Sequence, residues 1–248
     1  DMDRMDYLNR DSYFTGVSEG VIGYDRIIKM LHVHDGQLVV EMKGLYSVEK
    51  FLLARRFMYW QVYLHKTGLV AEQLLIRILK RARQLVVKGL LLDCSEPLLF
   101  FMENKIGKPH FNTATLDKFA QLDDTDILAA IKKWQHHDDF VLSKLCQMII
   151  NRKLLTIKMK NKPIASAKFE AELEAFKNVH GLSDEETGFF VFEGEVTNRA
   201  YDLEKQNINI LKKDGKLRDV AKASDHLNLR TLSKMVTKYY ICHPKESV

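Results

Sequence analysis

Apolar residues recur at helical spacing in this chain, and this pattern constrains its fold more than any other feature. Between Val70 and Lys88 they return every three or four positions, as on the buried face of an amphipathic helix. Only four prolines and twelve glycines occur in 248 residues, which argues against a disordered or loop-rich chain. We therefore expect a mainly helical protein with a buried core. The expected core face of this segment consists of Leu74, Leu75, Ile78, Leu79, Leu85 and Val86.

Similar patterns predict helices along most of the first 152 residues. One hairpin is expected among them, because Asp35-Gly36 is a favoured two-residue turn between strands at 31–34 and 37–41. Gly68 is expected to separate two long helices. The expected N-caps are Ser47, Thr115, Asp124 and Asp138. The predicted helices are 2–12, 24–30, 47–66, 70–88, 97–105, 114–122, 124–135 and 138–151.

The pattern changes near Arg152, where strand-like segments begin. A helix over 168–180 should end at Gly181, and a turn is expected at Asp214-Gly215. We predict a mainly α fold in which residues 1–152 form part of a helical bundle and residues 153–248 form a small α/β lobe. The predicted strands are 154–159, 189–192, 208–211 and 236–243.

Charge and cysteine content exclude several classes of protein. The 38 basic and 33 acidic residues give a net charge of +5, which suits anionic ligands but does not by itself imply nucleic-acid binding. The three cysteines show no CxxC spacing, which excludes a disulfide scaffold or zinc ribbon and fits a reducing compartment. No apolar run approaches the ~18–20 residues that span a bilayer. We expect a cytoplasmic protein without membrane association.

Two groups of residues carry candidate chemistry. Asp3, Tyr7 and Asp11 are spaced i, i+4, i+8 and share one helix face, with Arg4 and Arg10 beside them. Such a face is either solvated or forms a ligand wall, in which carboxylates bind a metal, the ring contacts a sugar or base, and arginine binds phosphate.

The second group has the same spacing in the helix predicted over 47–66. Its members are Arg55, Tyr59 and Tyr63, and they lie in the most basic part of the chain. Residues 41–88 hold ten Lys or Arg and three Asp or Glu, which suits a polyphosphate. Rings that pack in the core beside a solvated basic face would give the same pattern.

Four segments resemble the HD-domain phosphohydrolases, and particularly the deoxynucleoside triphosphate triphosphohydrolases. DMDRMDYLNRDSYFTGV, which begins at Asp1, resembles the closing motif of that family, and Asp25-Arg26-Ile27-Ile28 resembles the start of its next helix. ARRFMYWQVYLHKT, from Ala54, resembles the family's basic helix. LDKFAQLDDTDILAAI, from Leu116, and NRKLLTI, from Asn151, are weaker matches, so the resemblance covers about residues 1–160.

The resemblance implies a divalent metal such as Mg, Mn or Fe, with Asp3 as one ligand. It implies hydrolysis of deoxynucleoside triphosphates to deoxynucleoside and triphosphate. It also implies a dimer or tetramer and a nucleotide activator, for which Arg152 and Lys153 near the lobe junction are candidates. The remaining implied contacts are Arg4 and Arg55 with phosphate, Tyr7 and Asp11 with deoxyribose, and Tyr63 with sugar or base.

One departure from the family pattern is large. The family's other ligands, a His and an adjacent His-Asp pair, precede the motif that begins at Asp1, whereas His34-Asp35 and His137-Asp138 follow it. One protein ligand does not make a catalytic metal site. We therefore expect the chain to be the rear portion of a longer protein and to be inactive alone, with the general acid or base outside it.

Three alternatives to this function remain. The first is an HD-type hydrolase of another phosphoester. The second is a non-catalytic nucleotide- or nucleic-acid-binding module, based on the basic residues 41–88. The third is an interaction scaffold with an inactive HD fold.

Overall fold

The computed structural model describes residues 2–198, 207–224 and 234–245. Helices predominate, and the strands form two small sheets. The mainly-α prediction is thereby confirmed. The helices are α1 (Met2–Thr15), α2 (Tyr24–Lys29), α3 (Leu45–Met58), α4 (Lys66–Val87), α5 (Glu96–Glu103), α6 (Thr113–Gln121), α7 (Asp124–Trp134), α8 (Phe140–Ile150), α9 (Ser166–His180), α10 (Asp184–Thr187) and α11 (Val220–Ala223). The strands are β1 (Leu31–His34), β2 (Gln37–Glu41), β3 (Thr156–Lys160), β4 (Phe192–Asn198), β5 (Asn209–Leu211), β6 (Leu217–Asp219) and β7 (Val236–His243).

The chain divides into two compact units that are interleaved in sequence. The first consists of Asp1–Gly68 with Glu195–Tyr239, and the second of Leu69–Gly194 with Tyr240–Val248. The division expected from the sequence, at residues 152 and 153, stays a prediction about domains. The contact units show that the chain leaves the first unit and later returns to it.

The first unit contains a four-stranded sheet in the order β1-β2-β5-β6. The predicted hairpin is confirmed, with β1 antiparallel to β2 and both Asp35 and Gly36 at positive φ, as a two-residue turn of this kind requires. β2 pairs in parallel with β5, and β5 pairs antiparallel with β6. One face of the sheet packs against α3 and α11 through a core of Val40, Leu45, Val48, Leu52, Ile210, Val220 and Ala221.

A second core in the first unit joins α1 to α2 and α3. Its buried residues are Met5, Ile22, Ile27 and Ala54. The chain approaches this region so closely at Gly20 that a methyl group there would lie 2.5 Å from Sδ of Met58. A side chain at this position would therefore force the surrounding helices apart.

The second unit is built around α4 and the helices that follow it. Leu74, Ile78 and Leu85 of the predicted core face are fully buried, whereas Leu75, Leu79 and Val86 are half-buried. The predicted periodicity therefore identifies the face of α4 that is buried, and the half-buried residues on either side of it lie at the edge of the core. Among the described residues, no helix has the length and apolarity needed to cross a membrane.

A buried ion pair stands among the apolar residues of the second unit. Arg81 of α4 is 5% exposed, and its Nε and Nη2 donate to the two carboxylate oxygens of Asp139, at 3.0 and 2.6 Å. Asp139 also accepts from the backbone N–H of Leu142 and so caps α8. Burial raises the pKa of Asp139, but the hydrogen bonds and the positive charge of Arg81 outweigh it, so the net pKa is lowered. The pair fixes α8 to α4.

Several predicted boundaries differ from the structure. Gly68 lies inside α4 and does not separate two helices, because α4 already begins at Lys66. Phe189 and Phe190 are buried as expected, but they form a turn after α10, and β4 begins only at Phe192. A run of apolar residues is typical of a buried strand, but it does not distinguish a strand from a buried turn. β6 was not predicted, whereas the prediction of β7 is confirmed with both of its ends.

The expected N-caps were wrong at all four positions. Ser47 lies inside α3, which begins at Leu45. The other three helices are capped by a neighbouring residue with a suitable side chain: Asn112 before α6, Asp123 before α7 and Asp139 before α8. At α7 the selection is local, because Asp123 and Asp126 form a capping box. At α8 a tertiary contact contributes, because Arg81 of α4 also binds Asp139.

Replacement of Asp139 by Asn should destabilise the second unit by about 3 kcal/mol, because the buried Arg81 guanidinium loses its two-bond carboxylate partner and keeps only the longer contact of 3.6 Å with Glu186. In the control, Asp93→Asn removes an exposed carboxylate that pairs with Lys133, and the expected cost is below ~0.5 kcal/mol. Denaturant unfolding at pH 7 measures both.

The lowered pKa of Asp139 gives the same pair a pH dependence. Its stabilisation should be complete above the ordinary carboxyl pKa and be lost as the pH falls through the lowered one. Equal unfolding free energies for the two variants at pH 7 would contradict the assigned role of the pair.

Candidate functional site

α1 presents two different faces. Met5, Leu8 and Ser12 are buried, whereas the predicted stripe of Asp3, Tyr7 and Asp11 follows a neighbouring face. Tyr7 and Asp11 are half-buried, and Asp3 is exposed in the first turn. Part of the stripe is therefore covered by other residues of the chain and is not simply a solvated face.

The residues that cover it come from the end of α3. The α-helical pattern stops at Met58, and Tyr59–Tyr63 form a π-helical turn in which the N–H of Leu64 donates to the carbonyl of Tyr59 at 2.7 Å. The prediction of one regular helix over 47–66 was wrong here. A π-turn holds an extra residue per turn, so it changes the direction of the side chains that follow.

A short hydrogen bond joins the two helices. The hydroxyl of Tyr63 donates to Oδ2 of Asp11 at 2.7 Å. Burial raises the pKa of Tyr63 well above its ordinary value, and the hydrogen bond to Asp11 and the negative charge of that carboxylate raise it further. The phenol therefore remains a neutral donor at physiological pH.

Three tyrosine rings meet beside this bond. The ring of Tyr63 lies edge-on to the rings of Tyr7 and Tyr59, with centroid distances of 6.0 and 5.1 Å. Edge-to-face contacts of this kind stabilise aromatic clusters. Burial and the neighbouring Tyr59 raise the pKa of Tyr7. The result is an aromatic wall with hydroxyl groups, formed by residues more than fifty positions apart.

Two arginines accompany the tyrosines. The guanidinium of Arg55 lies over the ring of Tyr59, 5.2 Å from its centroid. The positive charges of Arg55 and Arg4 both act on the Tyr7 hydroxyl, where they oppose the increase in its pKa. The cluster therefore combines two cations, three phenols and one carboxylate, a set that suits a ligand with phosphate and hydroxyl groups.

The described residues alone do not fit the implied divalent metal. No group of three or more His, Cys, Asp or Glu among them is placed to hold an ion. Asp3 is exposed, and no hydrogen bond or ion pair from another described residue holds its carboxylate. A catalytic metal needs about three protein ligands. A site that uses Asp3 therefore requires ligands from beyond the described part of the chain.

Comparisons with known proteins identify related sequences and structures. Residues 22–89 match the family model described as the HD associated region. Over its whole length the chain is 30% identical to the uncharacterized protein YwfO of Bacillus subtilis, of which it covers 56%. A phosphohydrolase of Bacteroides thetaiotaomicron superposes on 99% of the chain with a TM-score of 0.91 and 45% identity. These matches agree with the resemblance to HD-domain phosphohydrolases found in the sequence.

A shorter match involves a protein that is named for its substrate. Over 68 residues the chain is 35% identical to the deoxynucleoside triphosphate triphosphohydrolase SAMHD1 homolog of Dictyostelium discoideum, which is 27% of this chain and 13% of that protein. The chain spans 56% of the Bacillus protein and 61% of the Bacteroides chain, so it corresponds to little more than half of each.

The two His-Asp pairs that follow the α1 motif in sequence both have local contacts. Nε2 of His34 lies 3.5 Å from Asp35 at the hairpin turn. Nδ1 of His137 accepts the backbone N–H of Asp139 at 2.9 Å. Arg10, beside the α1 stripe, pairs with Asp6 on the surface. The structure thus brings Arg4, Tyr7, Asp11, Arg55 and Tyr63 together and leaves Asp3 at the edge.

Tyr59 belonged to the second candidate group but was given no ligand contact, although it links Arg55 to the other rings. Its spacing of i+4 from Arg55 and i−4 from Tyr63 was the available signal. The π-turn gave no such signal, because the apolar and aromatic pattern of this segment is continuous with that of a regular helix.

Replacement of Tyr63 by Phe should lower the free energy of unfolding of the first unit by about 1.5 kcal/mol, because the half-buried Asp11 carboxylate loses its donor. Tyr13→Phe is the control, since Tyr13 is 81% exposed, and its expected effect is below ~0.5 kcal/mol. Chemical denaturation of both variants tests the contrast, and similar stabilities would argue against the bond between α1 and the π-turn.

Proposed function

We propose that the protein to which this chain belongs hydrolyses deoxynucleoside triphosphates to deoxynucleoside and triphosphate. The observation that carries the proposal is the contact between α1 and the π-turn, where Tyr63 donates to Asp11 beside Tyr7 and Arg55. Similarity to a protein named as a deoxynucleoside triphosphate triphosphohydrolase agrees with this assignment.

The tyrosines and Asp11 are proposed to contact the sugar. The carboxylate of Asp11 accepts one bond from Tyr63, and its capacity as an acceptor is large enough to take a second bond from a sugar hydroxyl. The rings of Tyr7 and Tyr63 make a closely packed wall. Such a wall favours a sugar without a 2′-hydroxyl, because an added hydroxyl would need both space and a partner.

Arg4 and Arg55 are proposed to contact the phosphates. Both charges act to lower the pKa of the Tyr7 hydroxyl, so both guanidinium groups lie within electrostatic range of it. Guanidinium groups bind phosphate oxygens through paired hydrogen bonds, and they stabilise the negative charge that develops during phosphoryl transfer. Arg55 is held over the Tyr59 ring, which limits its freedom before substrate binds.

We also propose Asp3 as a metal ligand of the longer protein. Its position in the first turn of α1 places a carboxylate at the same end of the helix as Arg4. The described residues supply no complete metal site, and the steps assigned to this chain are therefore limited to binding and charge stabilisation.

The test is a comparison of Arg55→Gln with Lys50→Gln in the longer protein. Lys50 is an exposed cation on the same helix, so the two variants lose equal charge. Arg55→Gln should lower kcat/KM for deoxynucleoside triphosphates about 100-fold, whereas Lys50→Gln should leave it unchanged. Triphosphate release, followed by ion-exchange chromatography, gives the rate.

The substrate assignment is tested by a screen of the same protein. Deoxynucleoside triphosphates should be cleaved faster than ribonucleotides, cyclic nucleotides and simple phosphomonoesters. Faster cleavage of another phosphoester would overturn the substrate assignment but would still show a hydrolase. Equal rates for Arg55→Gln and Lys50→Gln would show that Arg55 does not contact the substrate.

The 248-residue chain alone should release no triphosphate and should hold far less than one metal ion per chain, since its described residues form no metal-ligand group. Metal content by plasma mass spectrometry, measured beside the activity assay, checks this. Full activity with one bound metal per chain would show that the ligands lie within these 248 residues.

A further inference from the structure

A second group of charged residues lies in the second unit, in a groove of about 510 Å³ beside α4. Arg77, Lys80 and Arg83 form one wall of the groove. They are spaced i, i+3, i+6, so they follow one side of the helix. None of them belongs to the cluster formed by α1 and the π-turn, and the family resemblance assigns them no role.

The opposite wall of the groove is acidic. Asp184 and Glu185, in the first turn of α10, line this side, while Val87 and Phe189 supply apolar surface. Asp184 also pairs with Lys177 at 2.6 Å. The groove therefore offers cations on one side, hydrogen-bond acceptors on the other, and apolar groups with them, which is a usual composition for small-molecule sites.

The two walls are joined by a fixed network. Gln84 accepts from Nη1 of Arg81 at 3.3 Å and donates to Oε1 of Glu185 at 3.0 Å. Arg81 is itself held by the buried pair with Asp139. The network thus sets the separation of the walls without a ligand, and a preformed groove loses less conformational freedom when a ligand binds.

Arg77 is the residue that points most directly to an anionic ligand. Its guanidinium lies 3.4 Å from the centroid of the Phe192 ring, and burial lowers its pKa. Its Nε is buried and has no acceptor, and no carboxylate among the described residues forms an ion pair with it. Arginine keeps its charge in proteins, so this partly desolvated cation lacks a counter-charge that an anion would supply.

We propose that this groove binds a phosphate-bearing small molecule that also carries hydroxyl groups, the chemistry shared by sugar phosphates and nucleotides. The phosphate contacts Arg77, Lys80 and Arg83, while the hydroxyl groups donate to Asp184 and Glu185. Arg83 exchanges its long bond of 3.4 Å to the backbone carbonyl of Asn104 for the phosphate. A ligand with phosphate alone would leave the acidic wall opposite its negative charge, which is unfavourable. This site is independent of the function proposed for α1 and the π-turn.

Isothermal titration calorimetry of the 248-residue chain with ribose 5-phosphate, AMP and inorganic phosphate tests the proposal. Ribose 5-phosphate or AMP should bind at one saturable site. The double variant Lys80→Gln/Arg83→Gln should weaken this binding at least about tenfold, because two charge-assisted contacts are lost. The control Lys88→Gln/Lys105→Gln removes two exposed charges outside the groove and should bind as the original chain does.

Two further variants separate this site from the other cluster and test the acidic wall. Arg55→Gln should leave the binding unchanged, since Arg55 lies in the first unit. Glu185→Gln should weaken binding of the sugar phosphate several-fold and should not weaken that of inorganic phosphate. Circular dichroism confirms that each variant is folded.

The possible results separate clearly. Preference for ribose 5-phosphate over AMP, or the reverse, identifies the source of the ligand, and either preference supports the site. The proposal is overturned if none of the three probes binds, if Lys80→Gln/Arg83→Gln binds as tightly as its control, or if Arg55→Gln abolishes binding. Equal affinity for inorganic phosphate, unaffected by Glu185→Gln, would also overturn it.

Discussion

The hydrogen bond between Tyr63 and Asp11 is the interaction on which the candidate site depends. It joins the first helix to a segment fifty-two residues further along the chain, and it does so with an uncharged donor and a charged acceptor. The bond is available because the π-turn redirects the side chains that follow Met58. Once it forms, Tyr7, Tyr59 and Arg55 also lie around the same point. A single local departure from α-helical geometry thus organises chemistry from two helices.

The second unit uses a different device to position its charged groups. Its Arg81 is buried and bound by Asp139 through two hydrogen bonds, and loss of Asp139 would leave the guanidinium only the longer contact with Glu186. The same arginine orients Gln84 and, through it, Glu185. The buried charge of Arg81, which would be costly without a partner, therefore helps to position Glu185 at the surface. Each of the two candidate sites contains one hydrogen-bonded carboxylate that holds its parts together, Asp11 in the first unit and Asp139 in the second.

Local sequence signals predicted local structure well. Asp35-Gly36 located the hairpin, and Gly181 ended α9 in the left-handed conformation expected of a helix C-terminus. Features that depend on contacts between residues far apart in sequence were not predicted. The parallel pairing of β2 with β5 joins segments 170 positions apart, and the cap of α8 is the aspartate that Arg81 of α4 binds. Regular spacing placed Tyr7, Asp11, Arg55 and Tyr63 on helix faces, but it gave no sign that the two faces meet through a π-turn.

The interleaving of the two units has a consequence for synthesis on the ribosome. β2 ends at Glu41, yet its parallel partner β5 begins only at Asn209. At bacterial or eukaryotic elongation rates, on the order of ten seconds or more separate their emergence. The residues from Leu69 to Gly194, most of the second unit, emerge during this interval. The edge of β2 that pairs with β5 therefore remains unpaired while most of the second unit is synthesised. During this interval the nascent chain is most exposed to wrong strand pairing.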